Sequence, residues 1–367
     1  MVVFIVGTSA ELIKVQPVAQ RLLDRGAPVQ FWATYQHTDS LDRMFSSYGF
    51  PQPSFVFARG ARGKPIQRPT QMIGWLARCI RMLFTHRREL RKRLGERPLI
   101  IVHGDTVTTV FGAIAARVLG ATAAHVEAGL RSGRLFRPFP EEIDRRLTGR
   151  IAHIHYVPNA VAADNLAGKD VVNTFRNTAV DGVLDSLASA PAANSGERYG
   201  IALLHRFELI SQPSFVDATV RTIADNATIP VYVITDAFSG GPVEAAIARV
   251  NSPLLRPIPK RPYRDFVQFM RDAEFLVTDS GGLQQESAVL GVPTLLHRQV
   301  TESPDGVGAN VVLSGWDLDA VASFLQNPER YRSAPDVPES RPSDIIVTDL
   351  IRRGFVGNSD STHRGNE

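Results

Sequence analysis

The stretch "PLIIVHGDTVTTVFGAIAARVLG", residues 98–120, contains the unit from which the fold can be predicted. A short apolar run ends in His103, Gly104 and Asp105, and a threonine-rich segment then leads into an alanine-rich pattern typical of a helix. A strand followed at once by a helix is the repeating unit of a parallel sheet. Asp105 therefore lies where a strand ends and a helix begins. The sequence alone allows two roles for it, the N-cap of the helix or a group that does chemistry.

The same alternation of strand and helix patterns runs along most of the chain. Strand candidates such as "VVFIVG", "VQFWAT" and "TAAHVEA" precede a segment rich in Ala, Ser and Asn near residues 170–195, and "YGIALLHR", "IPVYVIT" and "EFLVTDSGG" follow it. This rhythm predicts an α/β protein with parallel sheets. We predict an N-terminal Rossmann-like domain over 1–175, a C-terminal one over 176–353 with the binding cleft between them, and a disordered tail over 354–367.

Composition is typical of an ordinary globular protein, with 44% hydrophobic and 21% charged residues. No apolar run approaches the roughly 20 residues of a membrane-spanning helix, and the opening "MVVFIVGTSAE" reads as a first strand rather than a signal peptide. We therefore expect a cytoplasmic protein that does not associate with membranes. Cys79, the single cysteine, excludes an internal disulfide and lies in an apolar helical stretch, so we expect a buried thiol.

The net charge of +4 comes mostly from arginine, and its densest run is "HRRELRKRLGER", residues 86–97. Because this run has no interleaved aromatic residues, we interpret it as the solvated face of a helix and expect no nucleic-acid partner. A surplus of arginine also suits a small anionic ligand such as a diphosphate.

Polar clusters follow several of the strand candidates, where ligands bind in parallel α/β sheets. Gly7 and Thr8 follow the first strand and open a helix, so their backbone N–H groups could face a phosphate. The other clusters are Asp105, Glu127 in "HVEAGLRSG", Glu141 and Glu142 in "RPFPEEIDRR", His205 in "LLHRFE", and Asp279 to Gly282 in "VTDSGGLQQES".

Each of these residues also has a purely structural explanation. Asp105 could cap a helix, Glu141 and Glu142 could complement a helix dipole, Glu127 could pair with a nearby arginine, and His205 could be a packed histidine. Taken together, however, three acids and a histidine at strand and loop ends have the groups that proton abstraction from carbon needs. A Ser–Gly–Gly turn at a helix N-terminus suits a diphosphate or a ribose.

The motifs "GDTVTT", "HVEAGLRSG", "PFPEEIDRRL", "LLHR" and "TDSGGLQQES" are similar, in order and spacing, to those of the non-hydrolysing UDP-N-acetylglucosamine 2-epimerases. The resemblance covers about residues 1–326. It implies a glycosyltransferase-B architecture and interconversion of UDP-N-acetylglucosamine and UDP-N-acetylmannosamine. In that reaction UDP is eliminated to give a 2-acetamidoglucal and then adds back. The resemblance further implies a UDP-sugar as the ligand, no cofactor or metal, and a homodimer.

The resemblance also implies roles for individual residues. Asp105, Glu127 and Glu141 would be the acid/base carboxylates, and His205 would assist the departure of UDP. The implied UDP- and substrate-binding residues are Lys14, Arg145, His205, Ser280, Gly281, Gly282 and Glu286.

Three positions depart from the family's motifs by losing an arginine. Ser9 stands in "GTSAE" where the family has "GTRPE", Phe207 in "HRFEL" where it has "HRREN", and Ser303 in "TESPD" where it has "TERPE". Because a bidentate arginine contact at a desolvated site contributes substantially to binding, we expect weaker nucleotide binding or a different sugar.

A fourth departure concerns regulation. Many bacterial members bind a second UDP-N-acetylglucosamine as an activator, and Gln36 and His37 match part of that site, but Asp39 and Thr235 do not. We therefore expect allosteric activation to be weak or absent. Two alternatives stay open at this point: a hydrolysing 2-epimerase that releases UDP and free N-acetylmannosamine, and a transferase-like or binding protein of the same fold for another UDP-sugar.

Overall fold

The computed structural model describes residues 1–36, 41–66, 68–134, 139–188, 196–235, 240–301 and 303–357. The chain forms two compact units, one made of Met1–Gly182 together with the chain from Glu339 onward, the other of Val183–Pro338. Each unit is a parallel sheet with helices between its strands. The predicted pair of Rossmann-like domains is confirmed, whereas the expected cleft stays a prediction.

The first unit contains seven strands, all paired in parallel in the order β3-β2-β1-β4-β5-β6-β7. The strands are β1 Val2–Val6, β2 Val29–Ala33, β3 Phe55–Val56, β4 Leu99–His103, β5 Thr122–Val126, β6 Ile154–Val157 and β7 Asp170–Asn173. The helices are α1 Ser9–Asp24, α2 Leu41–Ser47, α3 Pro69–Thr85, α4 Arg87–Leu94, α5 Val107–Leu119, α6 Glu141–Ile151 and α7 Ala160–Asp164, and α8 Ala179–Ala188 begins in the first unit and continues into the second.

The second unit repeats the same topology with six parallel strands in the order β10-β9-β8-β11-β12-β13. Its strands are β8 Gly200–Leu203, β9 Val231–Thr235, β10 Leu255–Pro259, β11 Phe275–Thr278, β12 Thr294–Leu296 and β13 Val311–Leu313. Its helices are α9 Phe207–Ile210, α10 Pro213–Asn226, α11 Gly240–Val250, α12 Tyr263–Arg271, α13 Gly281–Leu290 and α14 Leu318–Gln326, followed by a 3-10 turn at Pro328–Tyr331. In both units the strand order reverses beside the first strand, which is where such sheets bind ligands.

The continuous apolar run of β1 follows from its central position. Val2, Phe4 and Val6 belong to the core on one face of the sheet, whereas Val3 and Ile5 belong to the core on the other. Because helices cover both faces of a parallel sheet, its central strands have no polar side.

The domain boundary differs from the prediction, which assigned everything up to residue 353 to the second domain. The last helix, α15 (Pro342–Arg352), packs on α1 and belongs to the first unit. Ile346, Val347 and Leu350 are fully buried in the same core cluster as β1. The Tyr156 hydroxyl on β6 also donates a 2.9 Å hydrogen bond to Asp349 of α15. The chain therefore returns to the first unit after completing the second.

The disordered tail was predicted to begin at residue 354, which is too early. Val356 is buried in the core of the first unit, and Phe355 packs against that core. Residues 354–357 thus continue the fold, because these two apolar side chains pack in the core of the first unit. The rest of the predicted tail, residues 358–367, lies outside the described residues.

Helices α3 and α4 confirm two smaller predictions. Cys79 of α3 is fully buried beside Trp75, and burial raises the pKa of its thiol to about 12. In the basic run, Leu90 and Leu94 are buried while the intervening arginines lie on the exposed side of α4. None of the described helices combines the length and the apolar character that crossing a bilayer requires.

Candidate active site

Two of the candidate acid/base residues of the first unit, Asp105 and Glu127, follow the carboxyl ends of the adjacent strands β4 and β5. His103, at the end of β4, is in register with Val126, at the end of β5, and the Gly104 amide donates to the Val126 carbonyl at 3.0 Å. Glu127 follows with a φ of +65°, a left-handed conformation that costs a non-glycine residue energy. The sheet register therefore places the turn that carries Asp105 next to Glu127.

Glu127 is enclosed by groups that stabilise its charge. Lys14 of α1 lies 2.6 Å from its Oε2 atom, and His103 Nε2 lies 3.2 Å from the same oxygen. The Asn177 side-chain amide also donates to this oxygen. Burial alone would raise the pKa of Glu127, but the opposing charges of Lys14 and His103 hold it well below its ordinary value. The pairing of Glu127 with a nearby arginine, considered as its structural explanation, is not among these contacts, since its cation is Lys14.

Asp105 forms an ion pair with Arg145 rather than capping the helix that follows it. The N-cap of α5 is Thr106, whose hydroxyl accepts from the Thr109 amide at 3.2 Å. The Asp105 carboxylate is instead close to the Arg145 guanidinium, whose side chain is only 5% exposed. The structural explanation considered for Asp105, an N-cap, is therefore wrong. Its carboxylate is directed at α6.

Helix α6 begins at Glu141, directly after Pro140, as the sequence predicts, and its first turn carries three acids. Glu142 is completely buried and lies 2.8 Å from Arg146 and 3.8 Å from Arg145. It also accepts from the Ser132 amide at 3.0 Å. Glu142 thus anchors the start of α6 to the preceding loop.

Asp144, one turn after Glu141, is an acid that sequence reasoning did not select. Asp144 is only 6% exposed, and its Oδ2 atom has no hydrogen-bond partner among the described residues. Burial, and then the charges of Asp105 and Glu141, raise the pKa of Asp144 to about 7. Asp105, Glu141 and Asp144 therefore form one electrostatically coupled group of carboxyls. The i, i+3 spacing from Glu141 to Asp144 on a helix was the signal in the sequence.

The loop between β1 and α1 does not offer its amides to a phosphate. The Gly7 and Thr8 amides donate to the Glu11 carboxylate at 2.6 and 2.8 Å. The other carboxylate oxygen of Glu11 accepts from the hydroxyls of Thr106 and Thr109 at the start of α5. The sequence-based interpretation of this loop as phosphate-facing is therefore wrong, because the chain's own carboxylate occupies the donors. The capping-box pattern from Thr8 to Glu11 was the available signal.

Gln36 is also engaged within the first unit. Its side-chain oxygen accepts from the Thr108 amide at 3.2 Å and from the Thr108 hydroxyl at 3.0 Å. It therefore supports the first turn of α5, next to Asp105. His37 and Asp39, the other positions considered for an allosteric site, lie outside the described residues.

In the second unit, Asp279 fixes the turn that carries His205. Asp279 follows β11, is 1% exposed, and accepts from the backbone amides of His205 at 3.0 and 3.1 Å and of Arg206 at 2.8 Å. The side chain of Phe207, where the family has an arginine, is 68% exposed. Sequence reasoning placed Asp279 at a strand end but missed that it orients the neighbouring turn.

The Ser–Gly–Gly turn opens α13 as predicted. Ser280 is the N-cap, its hydroxyl accepts from the Leu283 amide at 3.4 Å, and Gly281 and Gly282 form the first turn. The N–H groups of a first helical turn have no partner within the helix, so they suit an anion. Further along α13, Glu286 is buried and accepts from the Tyr263 hydroxyl at 3.2 Å.

Ser303, another position that loses an arginine, points into the second unit. It is 4% exposed, and its hydroxyl lies 2.5 Å from the Asp305 carboxylate. The Gln284 side chain of α13 donates to the Ser303 carbonyl at 2.9 Å. The serine therefore binds its own loop to α13.

The structure groups the predicted residues in two sets, each within one unit. The set in the first unit contains Lys14, Asp105, Glu127, Glu141 and Arg145. The set in the second unit contains His205, Ser280, Gly281, Gly282 and Glu286. The fold and the first set define the class of protein: a two-unit Rossmann-like α/β protein with acid–base groups at the carboxyl ends of its parallel strands.

Comparison with known proteins identifies the family within that class. Residues 29–333 match the family model described as UDP-N-acetylglucosamine 2-epimerase. The UDP-N-acetylglucosamine 2-epimerase of Bacillus subtilis (strain 168) is 31% identical over 378 residues, which cover 95% of this chain and 94% of that protein. The chain therefore belongs to the UDP-N-acetylglucosamine 2-epimerase family.

Solved structures agree with this assignment. The Neisseria meningitidis UDP-GlcNAc 2-epimerase, bound to UDP-GlcNAc, has a TM-score of 0.79 and 25% identity over 96% of this chain and 99% of that one. The Methanocaldococcus jannaschii UDP-GlcNAc 2-epimerase, in complex with UDP-GlcNAc and UDP, has a TM-score of 0.78 and 25% identity over the same shares.

Proposed function

We propose that this protein is an epimerase that inverts carbon 2 of a UDP-activated N-acetylhexosamine, interconverting UDP-N-acetylglucosamine and UDP-N-acetylmannosamine. The observation that carries the proposal is the group of half-buried carboxyls in the first unit, Asp105 and Glu127 after strands and Glu141 at the start of α6. Family membership supports the same substrate class. The expected homodimer remains a prediction.

The proposed reaction begins with loss of UDP across the bond between carbons 1 and 2. A carboxylate takes the proton from carbon 2, and the C–H electrons form the double bond of a 2-acetamidoglucal. The electrons of the carbon 1–oxygen bond leave with UDP. Re-addition reverses these steps, except that the proton returns to the opposite face of carbon 2. This chemistry needs no cofactor, but it needs acid–base groups on both faces of the sugar.

The carboxyls of the first unit supply candidates for both faces. Glu127 is ionised throughout the neutral range because Lys14 and His103 stabilise its charge. Asp105 is held in place by Arg145, and Glu141 is the half-buried first residue of α6. Since these groups come from three different segments, we infer that they approach the sugar from different directions.

Departure of UDP requires groups that stabilise a developing diphosphate charge. In the second unit the first-turn amides of Gly281 and Gly282 suit this role, as does His205, whose backbone Asp279 fixes. We infer that these groups bind UDP. Since Ser9, Phe207 and Ser303 cannot replace arginine contacts, we expect a raised KM for the nucleotide sugar.

Incubation with UDP-N-acetylglucosamine in deuterated water tests the proposal. We expect deuterium at carbon 2 and the appearance of UDP-N-acetylmannosamine in proton NMR spectra. Because a positioned general base contributes roughly 10²–10⁴-fold, Asp105→Asn and Glu141→Gln should each lower kcat by about that factor. Asp164→Asn, at an exposed position on α7, is the matched control.

The same time course separates the proposal from its rivals. Stoichiometric accumulation of free UDP with N-acetylmannosamine would identify a hydrolysing enzyme. No deuterium at carbon 2 of UDP-N-acetylglucosamine or any other UDP-amino sugar would rule the epimerase out.

A further inference from the structure

Asp144 differs from Asp105, Glu127 and Glu142 because no basic side chain among the described residues pairs with it. Glu142 has Arg146, Asp105 has Arg145, and Glu127 lies outside this group with its own cation, Lys14. Among the described contacts, Asp144 has no ion pair, and its Oδ2 atom is buried without a hydrogen-bond partner. An ionised carboxyl in such a place is costly unless it is paired.

Its surroundings add negative charge rather than positive. Asp105, in the turn between β4 and α5, and Glu141, on the same helix, both interact unfavourably with an ionised Asp144. The cation nearest in sequence, Arg145, is already committed to Asp105 and lies 3.8 Å from Glu142. A third full negative charge at this point would therefore lack compensation.

Within the part of the chain that the structure describes, the elements packed against α6 supply no further compensating charge. The charged side chain of α5 is Arg117, which donates to the Ile151 carbonyl at the far end of α6. The titratable side chain of β5 is His125, and burial lowers its pKa to about 3, so it is neutral. In the loop before α6, Arg131 interacts with Glu142 rather than with Asp144.

We propose that Asp144 is a positioning residue of the site: a neutral, buried carboxyl that leaves the Arg145 guanidinium to Asp105, and whose ionisation ends turnover at alkaline pH. The proton stays on the acid that has no cationic partner among the described residues. When Asp144 loses that proton, its new negative charge competes with Asp105 for Arg145. The proposal rests on the proposed epimerase function only for the first of its two tests, which measures enzyme activity.

The first test is the pH dependence of kcat/KM, measured by exchange of deuterium into carbon 2 of UDP-N-acetylglucosamine. We expect the wild-type protein to lose activity above about pH 7, by roughly tenfold per pH unit. Asp144→Asn has the same shape but cannot ionise, so its profile should stay flat through that range relative to its own maximum. Asp164→Asn should lose activity above about pH 7 as the wild type does. The same loss of activity in Asp144→Asn would overturn the proposal, since a purely structural role would lower activity at every pH alike.

The second test needs no substrate. Infrared difference spectra between pH 6 and pH 8.5 should contain a protonated-carboxyl carbonyl band that titrates near pH 7 in the wild type and is missing in Asp144→Asn. A wild-type protein without this band, or a variant that keeps it, would refute the buried proton. If the wild type does not epimerise any UDP-amino sugar, the proposed function fails, while this titration still decides the state of Asp144.

Discussion

Replacing Lys14 by methionine removes the cation that lies 2.6 Å from Glu127 while keeping a side chain of similar length in α1. The side chains of Lys14 and Glu127 are only 15% and 10% exposed, so solvent screens their interaction weakly. Losing one partner of a buried pair typically costs about 3–5 kcal/mol, because the remaining charge is left without compensation. Here His103 and Asn177 still contact the same oxygen. We therefore expect Lys14→Met to lower the free energy of unfolding by about 2–3 kcal/mol.

The double variant Lys14→Met with Glu127→Gln distinguishes lost charge compensation from lost packing. Removing the carboxylate as well removes the uncompensated charge, so the double variant should be more stable than the sum of the two single costs predicts, by at least ~1 kcal/mol. Arg198→Met is the matched surface control. Its partner Glu274 lies 2.8 Å away, but Arg198 is 70% exposed, so its loss should cost under about 1 kcal/mol.

The assay is equilibrium urea unfolding followed by circular dichroism at several pH values. Because the folded-state pKa of Glu127 lies well below its ordinary value, its charge stabilises the fold above its unfolded pKa near 4.5. That contribution is lost as pH falls through the folded pKa. The cost of Lys14→Met should therefore be largest at neutral pH and shrink in acid. Equal costs for Lys14→Met and Arg198→Met, or strictly additive single and double variants, would refute the reasoning.

Three further substitutions test individual contacts. Glu11→Gln should lower the free energy of unfolding by about 1–3 kcal/mol in thermal denaturation, because it weakens the acceptor for two buried amides and the link from α1 to α5; a neutral result would show that this link is dispensable. Asp144→Asn should stabilise the protein above pH 7 by about 2–4 kcal/mol. The pKa of Asp144, raised by burial to about 7, makes wild-type stability fall between about pH 4 and pH 7, and the variant's advantage should vanish below pH 4. Asp279→Ala leaves the amides of His205 and Arg206 without their acceptor, so amide hydrogen exchange at these two positions should accelerate at least tenfold, whereas unchanged protection would contradict the role given to Asp279.

The strand ends were the part of the site that the sequence predicts well. In a parallel sheet every strand delivers its last residue to the same edge, so an apolar run followed by Asp105 or Glu127 already fixes where those side chains emerge. This inference needs only local pattern and the general rule for the fold. The pairing of Arg145 with Asp105 was not predicted, because it joins two separate segments of the chain.

The contacts that the sequence could not predict depend on partners far apart in the chain. Whether the amides of Gly7 and Thr8 face a ligand depends on the rotamer of Glu11, which is bound on its other side by Thr106, 95 residues later. The return of α15 to the first unit likewise depends on which apolar face of α1 is left uncovered, and no local signal records that. The burial of Asp144 and the negative charges around it depend on where α6 and the turn after β4 lie relative to each other, which no local pattern gives.

The site therefore combines two carboxyls whose surroundings act in opposite directions. Glu127 has a cation and an amide at one oxygen, which keep it ionised, whereas Asp144 has two like charges and, among the described residues, no paired cation, which favour its protonated form. Environments that separate the pKa values of neighbouring acids are how a protein assigns acid and base roles near neutral pH. In the reaction that we propose, a reversible elimination needs both a base and an acid in each cycle. The cation at Glu127 and the like charges around Asp144 give two acids of the same unit opposite preferences for the proton.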